Sequence, residues 1–552
     1  MTNGLVASLG GGGEGVMALD SRDSGWAEQR LGVSPSSLDM AVGTPTGFPR
    51  TRPEAPGDYM EPITYEDWQR WQRHGCTRLP AVLVCRGEPP PALWEGFANR
   101  PVTALLESAR GGRYTYLCDR PERLVLGHAE GAEIWSADGT ARLDSLVGKP
   151  LAVLAALWDE TKVARPQGWP AMTGGFIGVL GYDLVRTWEC LPARAIRDLP
   201  LPLFAMIETR ELFVYDHVEQ MLGIVIWRNV APDSPIALAD EFAAAQRAAS
   251  EARERWRADG GGRSWSAEQD RRDEVNVPAD SLTPAAFQDA VRRVQAYIAA
   301  GHTYQTNLSL RTSRPTPISS AAIYESVRRV NPSPYMGLLR LPAFSLICGS
   351  PELLVRLVDG KIASRPIAGT RPRGEDSSRD AHLSTELFVN EKERAEHLML
   401  VDLIRNDIGR VAEWGSVMVR DFMTVERYSH VMHLVSGVEG RLAAGKTWVE
   451  VFQAMFPGGT ITGCPKIRTM EIIEELELVG RGFYTGSLGW ISYGGDMEMN
   501  IVIRSMLMID GVAHVQAGAG IVADSQPARE YEEATQKARA LWVAWERAAS
   551  HG

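Results

Sequence analysis

A chain of 552 residues, 44% hydrophobic and 23% charged, can bury a large core, and its length suggests roughly two to four units of ordinary size. A formal net charge of −11 argues against a general role on nucleic acid or on an anionic membrane surface, so an anionic ligand would need a local basic pocket. No apolar run approaches membrane-spanning length, and no basic segment leads into an apolar stretch at the start. Neither a spanning helix nor a secretory signal is therefore expected. Six scattered cysteines (Cys76, Cys85, Cys118, Cys190, Cys348, Cys464) form no C-x-x-C pair, which fits reduced thiols in a cytoplasmic protein better than disulfides or a zinc site.

Residues 1–57 are rich in Gly, Ser and Pro and read as a flexible tail. Residues 58–250 form a first region with strand signals. In particular, Glu211 to Trp227 holds two apolar runs around a polar turn near Asp216 and His217, which predicts a hairpin. Residues 251–280 are charged and glycine-bearing, a helix end passing into a linker. The region 281–552 begins with a helix from Phe287 that stops at Gly301. From Gly486 to Gly520 the pattern predicts three strands, with turns at Gly494-Gly495-Asp496 and Asp510-Gly511. Hairpins with helices between them indicate an α+β fold with large antiparallel sheets.

Two Glu-x-x-Glu pairs stand out in predicted helices: Glu393 with Glu396, and Glu530 with Glu533, the second sharing its face with Lys537. One such pair is usually a solvated face. Two in one region, the second preceded by the run QAGAGIVADS from Gln516 to Ser525, suggest a site where carboxylates hold a hard cation. In that run Gly518 and Gly520 would let backbone approach a ligand. A second glycine-rich string, FPGGTITGCPK from Phe456 to Lys466, could offer backbone N–H groups and Lys466 to an anion at a helix start. Cys464 within it is expected to be a small buried thiol, since no histidine is tied to it by sequence.

These two strings, together with RPIAGTRPRG from Arg365 and EHLMLVDLIRND from Glu396, resemble the chorismate-utilising enzymes over about residues 100 to 545. The resemblance implies an α/β/β/α sandwich. It also implies Mg²⁺ on Glu396 and Glu533, with Glu393 and Glu530 close by, gripping the ring carboxylate of chorismate. Tyr484, Arg504, Lys537 and the amides near Gly518 and Gly520 match positions that hold the enolpyruvyl carboxylate, and Thr460 matches a further substrate contact. Ala534 departs from the family, where many members have Thr. Glu352, in GSPELLV, matches the general acid for the departing C4 hydroxyl, and His433 matches a residue tied to pyruvate elimination.

Gln305, in HTYQTNLSL, stands where water-using members of the family carry a basic lysine. Because an amide cannot act as a base, ammonia is the implied nucleophile. Two ammonia-using activities remain. Ala368 replaces the lysine that many aminodeoxychorismate synthases carry, and with His433 it favours an anthranilate-forming activity. Gly458-Gly459, Ile461, Asn307, Asn500 and the run from Gly174 resemble aminodeoxychorismate synthases, which on balance is the expected activity. No G-x-C-x-G string is present, so a separate glutamine amidotransferase subunit is the implied partner. A non-catalytic ligand-binding regulator on the same fold is the alternative from another class. Finally, Leu106-Glu107-Ser108 and Pro334-Tyr335-Met336 resemble the two halves of a tryptophan site.

Overall fold

The computed structural model describes residues 60–90, 95–98, 100–109, 111–159, 163–166, 168–230, 237–259, 280–427 and 431–551. The tail expected over 1–57, and most of the linker expected over 251–280, lie outside the described residues. The linker's first residues finish a helix, Leu238–Asp259.

Two large sheets dominate, and every strand pair within them is antiparallel. The eleven-stranded sheet runs from Arg78–Arg86 through Met221–Asn229, Thr103–Glu107, Tyr335–Arg340 and Ser345–Ser350 to Ser505–Ile509, Val512–Ile521 and Gln305–Pro315. The twelve-stranded sheet includes Val431–Arg441, Leu353–Val358, Met497–Asn500, Ser487–Ser492 and Gly175–Leu180. Both sheets interleave strands from before residue 250 and after residue 280. Thr103–Glu107 pairs with Tyr335–Arg340, for example, and Gly175–Leu180 with Ser487–Ser492.

Three apolar layers explain the arrangement. Val179, Ile207 and Trp490 of one sheet meet Ala104, Leu339 and Leu346 of the other. The outer face of the first sheet packs on helices through Ala249, Ile323 and Leu541. The outer face of the second packs on Leu154, Ile404 and Phe452. This is a helix–sheet–sheet–helix sandwich, as the strand and helix signals together with the family resemblance suggest.

The hairpin expected over 211–227 forms as Glu211–Asp216 and Met221–Asn229, and the helix near Phe287 spans Pro284–Ala299 with Gly301 at φ +77°. One reading changes. The three strands expected after Gly486 are four, because the middle one breaks at Ile501–Arg504. Met497–Asn500 lies in one sheet and Ser505–Ile509 in the other. The chain crosses between sheets there, and Arg504 takes a left-handed backbone at φ +51°, which ends any continuous ladder. Periodicity could not reveal this, since both halves alternate as strands should.

A buried ion pair braces this region. Arg481 donates to both oxygens of Glu477 (Nε–Oε2 2.9 Å, Nη2–Oε1 2.7 Å) and to the carbonyls of Asn307 and Ile461 at 2.8 and 2.9 Å. Glu477 in turn accepts the Ser309 amide and hydroxyl, both at 2.8 Å. Burial alone would lower the Arg481 pKa, but Glu477 reverses this and holds the guanidinium above its usual value. Breaking such a pair leaves one buried charge uncompensated, at about 3–5 kcal/mol. Arg481→Met should therefore lower the denaturation midpoint sharply in urea, and adding Glu477→Leu should recover part of the loss. A single variant as stable as the parent would show that the pair does not brace the fold.

Candidate active site

The site is built on one strand pair. In Gln305–Pro315 the residues Gln305, Asn307, Ser309 and Arg311 alternate with Leu308 and Leu310. In Val512–Ile521, His514, Gln516, Gly518 and Gly520 alternate with Val515, Ala517, Ala519 and Ile521. Leu308, Leu310, Ala519 and Ile521 pack against Phe287, Val291 and Ile472 of the helices. The polar face is thereby turned toward the inter-sheet layer. The glycine-bearing run is a strand through Ile521, and its glycines make room for neighbouring side chains. A Cβ on Gly520 would stand 2.7 Å from Gln305 Nε2, and one on Gly518 would stand 2.7 Å from Asn307 Oδ1.

Both Glu-x-x-Glu pairs lie on helices that meet at this face. Helix Glu391–Gly409 is capped by Asn390, whose side chain accepts the Glu393 amide at 3.0 Å, and it carries Glu393 and Glu396. Gln305 Nε2 donates to Glu396 Oε1 at 3.0 Å. Burial pushes the Glu396 carboxyl up despite that bond, and the charges of Glu393 and Glu533 add to the shift. Helix Pro527–His551 supplies Glu530, Glu533 and Lys537. Lys537 Nζ bonds Glu533 Oε1 at 2.7 Å and the Gly518 carbonyl at 3.0 Å. Glu530 is also raised, by burial and by Glu533.

Glu352 follows strand Ser345–Ser350, is 6% exposed, and is fixed by the Ile501 amide donating to its carbonyl at 3.0 Å. Burial raises its carboxyl to about 7, with Thr460 and Lys537 pulling the other way. Thr460 Oγ1 is close enough to favour the charged carboxylate, yet it is buried without a hydrogen bond of normal geometry. The guanidinium of Arg504, set by the sheet crossing, makes no hydrogen bond or ion pair among the described residues, while its carbonyl accepts the Gly349 amide at 3.1 Å. Burial lowers its pKa, with Tyr484 and Glu533 opposing. Tyr484 is half-buried, and burial raises its phenol, with Arg481 and Arg504 opposing.

His433 sits beside this cluster. Its Nδ1 is 3.2 Å from the Gly369 carbonyl, at a break in register between Ala368 and Thr370. Gly369 has φ +63°, and a Cβ there would come within 2.8 Å of Glu393 Oε2, so the backbone fits between His433 and Glu393 only as glycine. Glu393 also accepts from Arg371 Nη1 at 3.1 Å.

The expected catalytic, substrate and carboxylate positions are linked, some by direct hydrogen bonds and others only through charge, whereas one expectation changes. Lys466 is not offered to a ligand, because its Nζ bonds Asp407 at 2.8 Å and the Met455 carbonyl at 3.2 Å. Cys464 is a part-buried thiol pushed up by burial, unlike an activated nucleophile. Leu106 and Glu107 pair with Gly337 and Met336, which places Ser108 near Pro334 and Tyr335. Within that strand pair Glu107 is already compensated by Tyr324 Oη at 2.6 Å and Arg328 Nε at 2.9 Å. Sequence reading missed Arg481 and Glu477, whose i, i+4 spacing was the available signal.

The donor set suits a hard cation. Glu396 and Glu530 are part-buried carboxylates raised by burial and further by neighbouring negative charge, a repulsion that a cation would relieve. No three such groups converge into a full coordination shell among the described residues, and Mg²⁺ usually takes only one or two carboxylates, with substrate oxygens and water completing its octahedron.

The family model described as chorismate binding enzyme matches residues 104–542. The chain belongs to that family. It is 42% identical over 448 residues to the aminodeoxychorismate synthase component 1 of Bacillus subtilis, covering 81% of this chain and 92% of the relative. It is 43% identical over 458 residues to the anthranilate synthase component 1 of Thermus thermophilus, covering 81% and 96%. Among solved structures, anthranilate synthase component I from Streptococcus pneumoniae superposes with a TM-score of 0.66 at 31% identity, covering 78% of this chain and 92% of that one.

An acid that must be protonated to act is active below its pKa and lost as pH rises through it. With Glu352 as that acid the limb would lie near 7, and anionic groups bound beside it would move it higher. Turnover should fall along an alkaline limb that Glu352→Gln abolishes, together with a rate loss of about 10²–10⁴-fold. An unchanged pH–rate profile in Glu352→Gln would remove Glu352 from the acid role.

Proposed function

We propose that this enzyme aminates chorismate with ammonia, giving 4-amino-4-deoxychorismate as a precursor of para-aminobenzoate and folate. The observation that supports this best is one site that combines a buried carboxyl raised to about 7 with an unpaired cation and a carboxylate cluster. Glu352 is poised to give a proton to the departing C4 hydroxyl, and Arg504 and Lys537 suit the enolpyruvyl carboxylate. Glu396 and Glu533, with Glu393 and Glu530 near, would hold Mg²⁺, which when bound would neutralise the ring carboxylate and orient the ring. Gln305, as an amide, cannot take a proton from water, so the reading favours nitrogen as the nucleophile.

With Ala368 buried where a lysine nucleophile would stand, ammonia itself must open the sequence. Its lone pair forms a C–N bond at C2 as the C4–O bond breaks, and the leaving oxygen takes the Glu352 proton. A second ammonia adding at C4 as the first nitrogen leaves then yields the 4-amino product. Ammonia would come from a separate glutamine amidotransferase subunit, in keeping with the component 1 names of the relatives.

A second reading stops after the first addition and eliminates pyruvate to give anthranilate. The specific observation in its favour is His433, held by Gly369 next to Glu393, within the same contacts as the site. Product analysis decides between the two. The chain would be incubated with chorismate, Mg²⁺ and ammonium at alkaline pH and the products resolved by mass spectrometry. An amino product that retains its enolpyruvyl group, and gives para-aminobenzoate with an added lyase, is the expected result. Fluorescent anthranilate with released pyruvate would establish the second reading. Under either, Glu396→Gln should abolish turnover, and undiminished activity would overturn the metal assignment.

A further inference from the structure

Strand Val512–Ile521 and helix Pro527–His551 are joined by the turn 522–526, which delivers Glu530 and Glu533 to the site. The turn closes on itself twice. The Ser525 amide donates to the Val522 carbonyl at 3.1 Å, and the Val522 amide donates to Ser525 Oγ at 3.1 Å. It is also held from outside. Gln295, on helix Pro284–Ala299, donates from Nε2 to the carbonyls of Ala523 at 3.1 Å and Ser525 at 2.8 Å. Both partners are acceptors, so only one orientation of the Gln295 amide fits. From the other carboxylate helix, Lys392 Nζ reaches Asp524 Oδ1 at 3.3 Å. That pair is more than half exposed on both sides and adds little stability, but it ties the helix of Glu393 and Glu396 to the same turn. The helix that supplies Gln295 carries none of the expected site residues.

A serine just ahead of a helix ordinarily caps it by accepting one of the first free amides. Here the Ser525 oxygen instead accepts the Val522 amide behind it. Ser525 is 6% exposed, so its one O–H needs an acceptor within the protein. The acceptor is the Glu530 carboxylate: burial raises that carboxyl, the Ser525 hydroxyl opposes the rise, and Glu533 adds to it. We propose that Ser525 and Gln295 are positioning residues for the cation, Gln295 locking the turn and Ser525 orienting the Glu530 carboxylate toward Glu396 and Glu533. The inference rests on the metal reading given above. The Glu530 amide is fixed by its bond to the Gln526 carbonyl at 3.0 Å, which leaves the side-chain torsions free. Holding one carboxylate oxygen removes that freedom before the ion arrives and leaves the other oxygen for the ion or its water. The hydroxyl also favours the ionised carboxylate, which is the form a cation needs.

The test is Mn²⁺ binding to the full chain, followed by electron paramagnetic resonance of the free ion, with chorismate present and ammonium withheld so that nothing turns over. Ser525→Ala should raise the Mn²⁺ dissociation constant about tenfold, and Ser525→Thr, which keeps the hydroxyl, should restore it to within about twofold. Gln295→Ala should move the constant in the same direction, and it serves if Ser525→Ala does not fold. In a Glu530→Ala background, Ser525→Ala should add nothing further, because the group it acts through is gone. Parental dissociation constants in both single variants would overturn the proposal. So would an equal penalty with and without Glu530, which would show the turn acting on the fold at large. A parent that binds no Mn²⁺ would overturn the metal reading and the positioning roles with it, a result seen before any variant is compared.

Discussion

The buried pair of Arg481 and Glu477 is the constraint on which the site depends. Arg481 reaches the carbonyls of Asn307 and Ile461 at once, while Glu477 holds Ser309. It thereby fixes the strand carrying Gln305 and Asn307 relative to the turn carrying Thr460, and Arg481 lies against the ring of Tyr484, 5.6 Å from its centroid. None of these anchored groups depends on a flexible surface contact. An ion pair with nearly all its donors and acceptors used is worth little as net stability, but it permits few alternative arrangements of the loops it joins.

The second constraint is the crossing at Ile501–Arg504. A strand that stayed in one sheet would place residue 504 in a ladder, with its side chain on a sheet face. Leaving the ladder puts Arg504 between the sheets, near Tyr484 and the charge of Glu533, with its guanidinium free of partners among the described residues. The left-handed backbone at a non-glycine residue is an energetic cost, and it falls at a position where an unpaired cation serves an anionic ligand.

Much of this was legible in the sequence for an identifiable reason. The two Glu-x-x-Glu pairs are helical because Asn390 caps one helix and both follow a period that sequence displays, so their shared faces could be read directly. The alternation in Gln305–Pro315 marks a strand, and the resemblance carried Glu352, Arg504 and Lys537 to their positions. What could not be read was how distant segments meet. Lys466 looks like a free cation until Asp407, on another helix, is brought to it. That Gly518 and Gly520 face Asn307 and Gln305 could not be read either, because the opposite strand brings those side chains to them. The sheet crossing is invisible because Met497–Asn500 and Ser505–Ile509 each alternate correctly on either side of it.

Glu352, Glu396 and Glu530 share one direction of shift but not one cause, and the causes separate their roles. Glu352 is raised by burial alone, with Thr460 and Lys537 opposing and no carboxylate contributing. A cation arriving among the other carboxylates removes none of that burial, so the Glu352 shift stays in place. Glu396 and Glu530 are raised by burial and also by their neighbours' negative charge, and a bound cation would cancel that second part. Two populations of carboxyl within one acidic site can therefore serve opposite purposes at one pH. The opposing cations follow the same division: Lys537 spans both populations, pairing with Glu533 while acting on Glu352, and Arg504 remains for the ligand. An overall charge of −11 is then no obstacle to a substrate with two carboxylates, because the positive charge that meets it is local and placed by the fold.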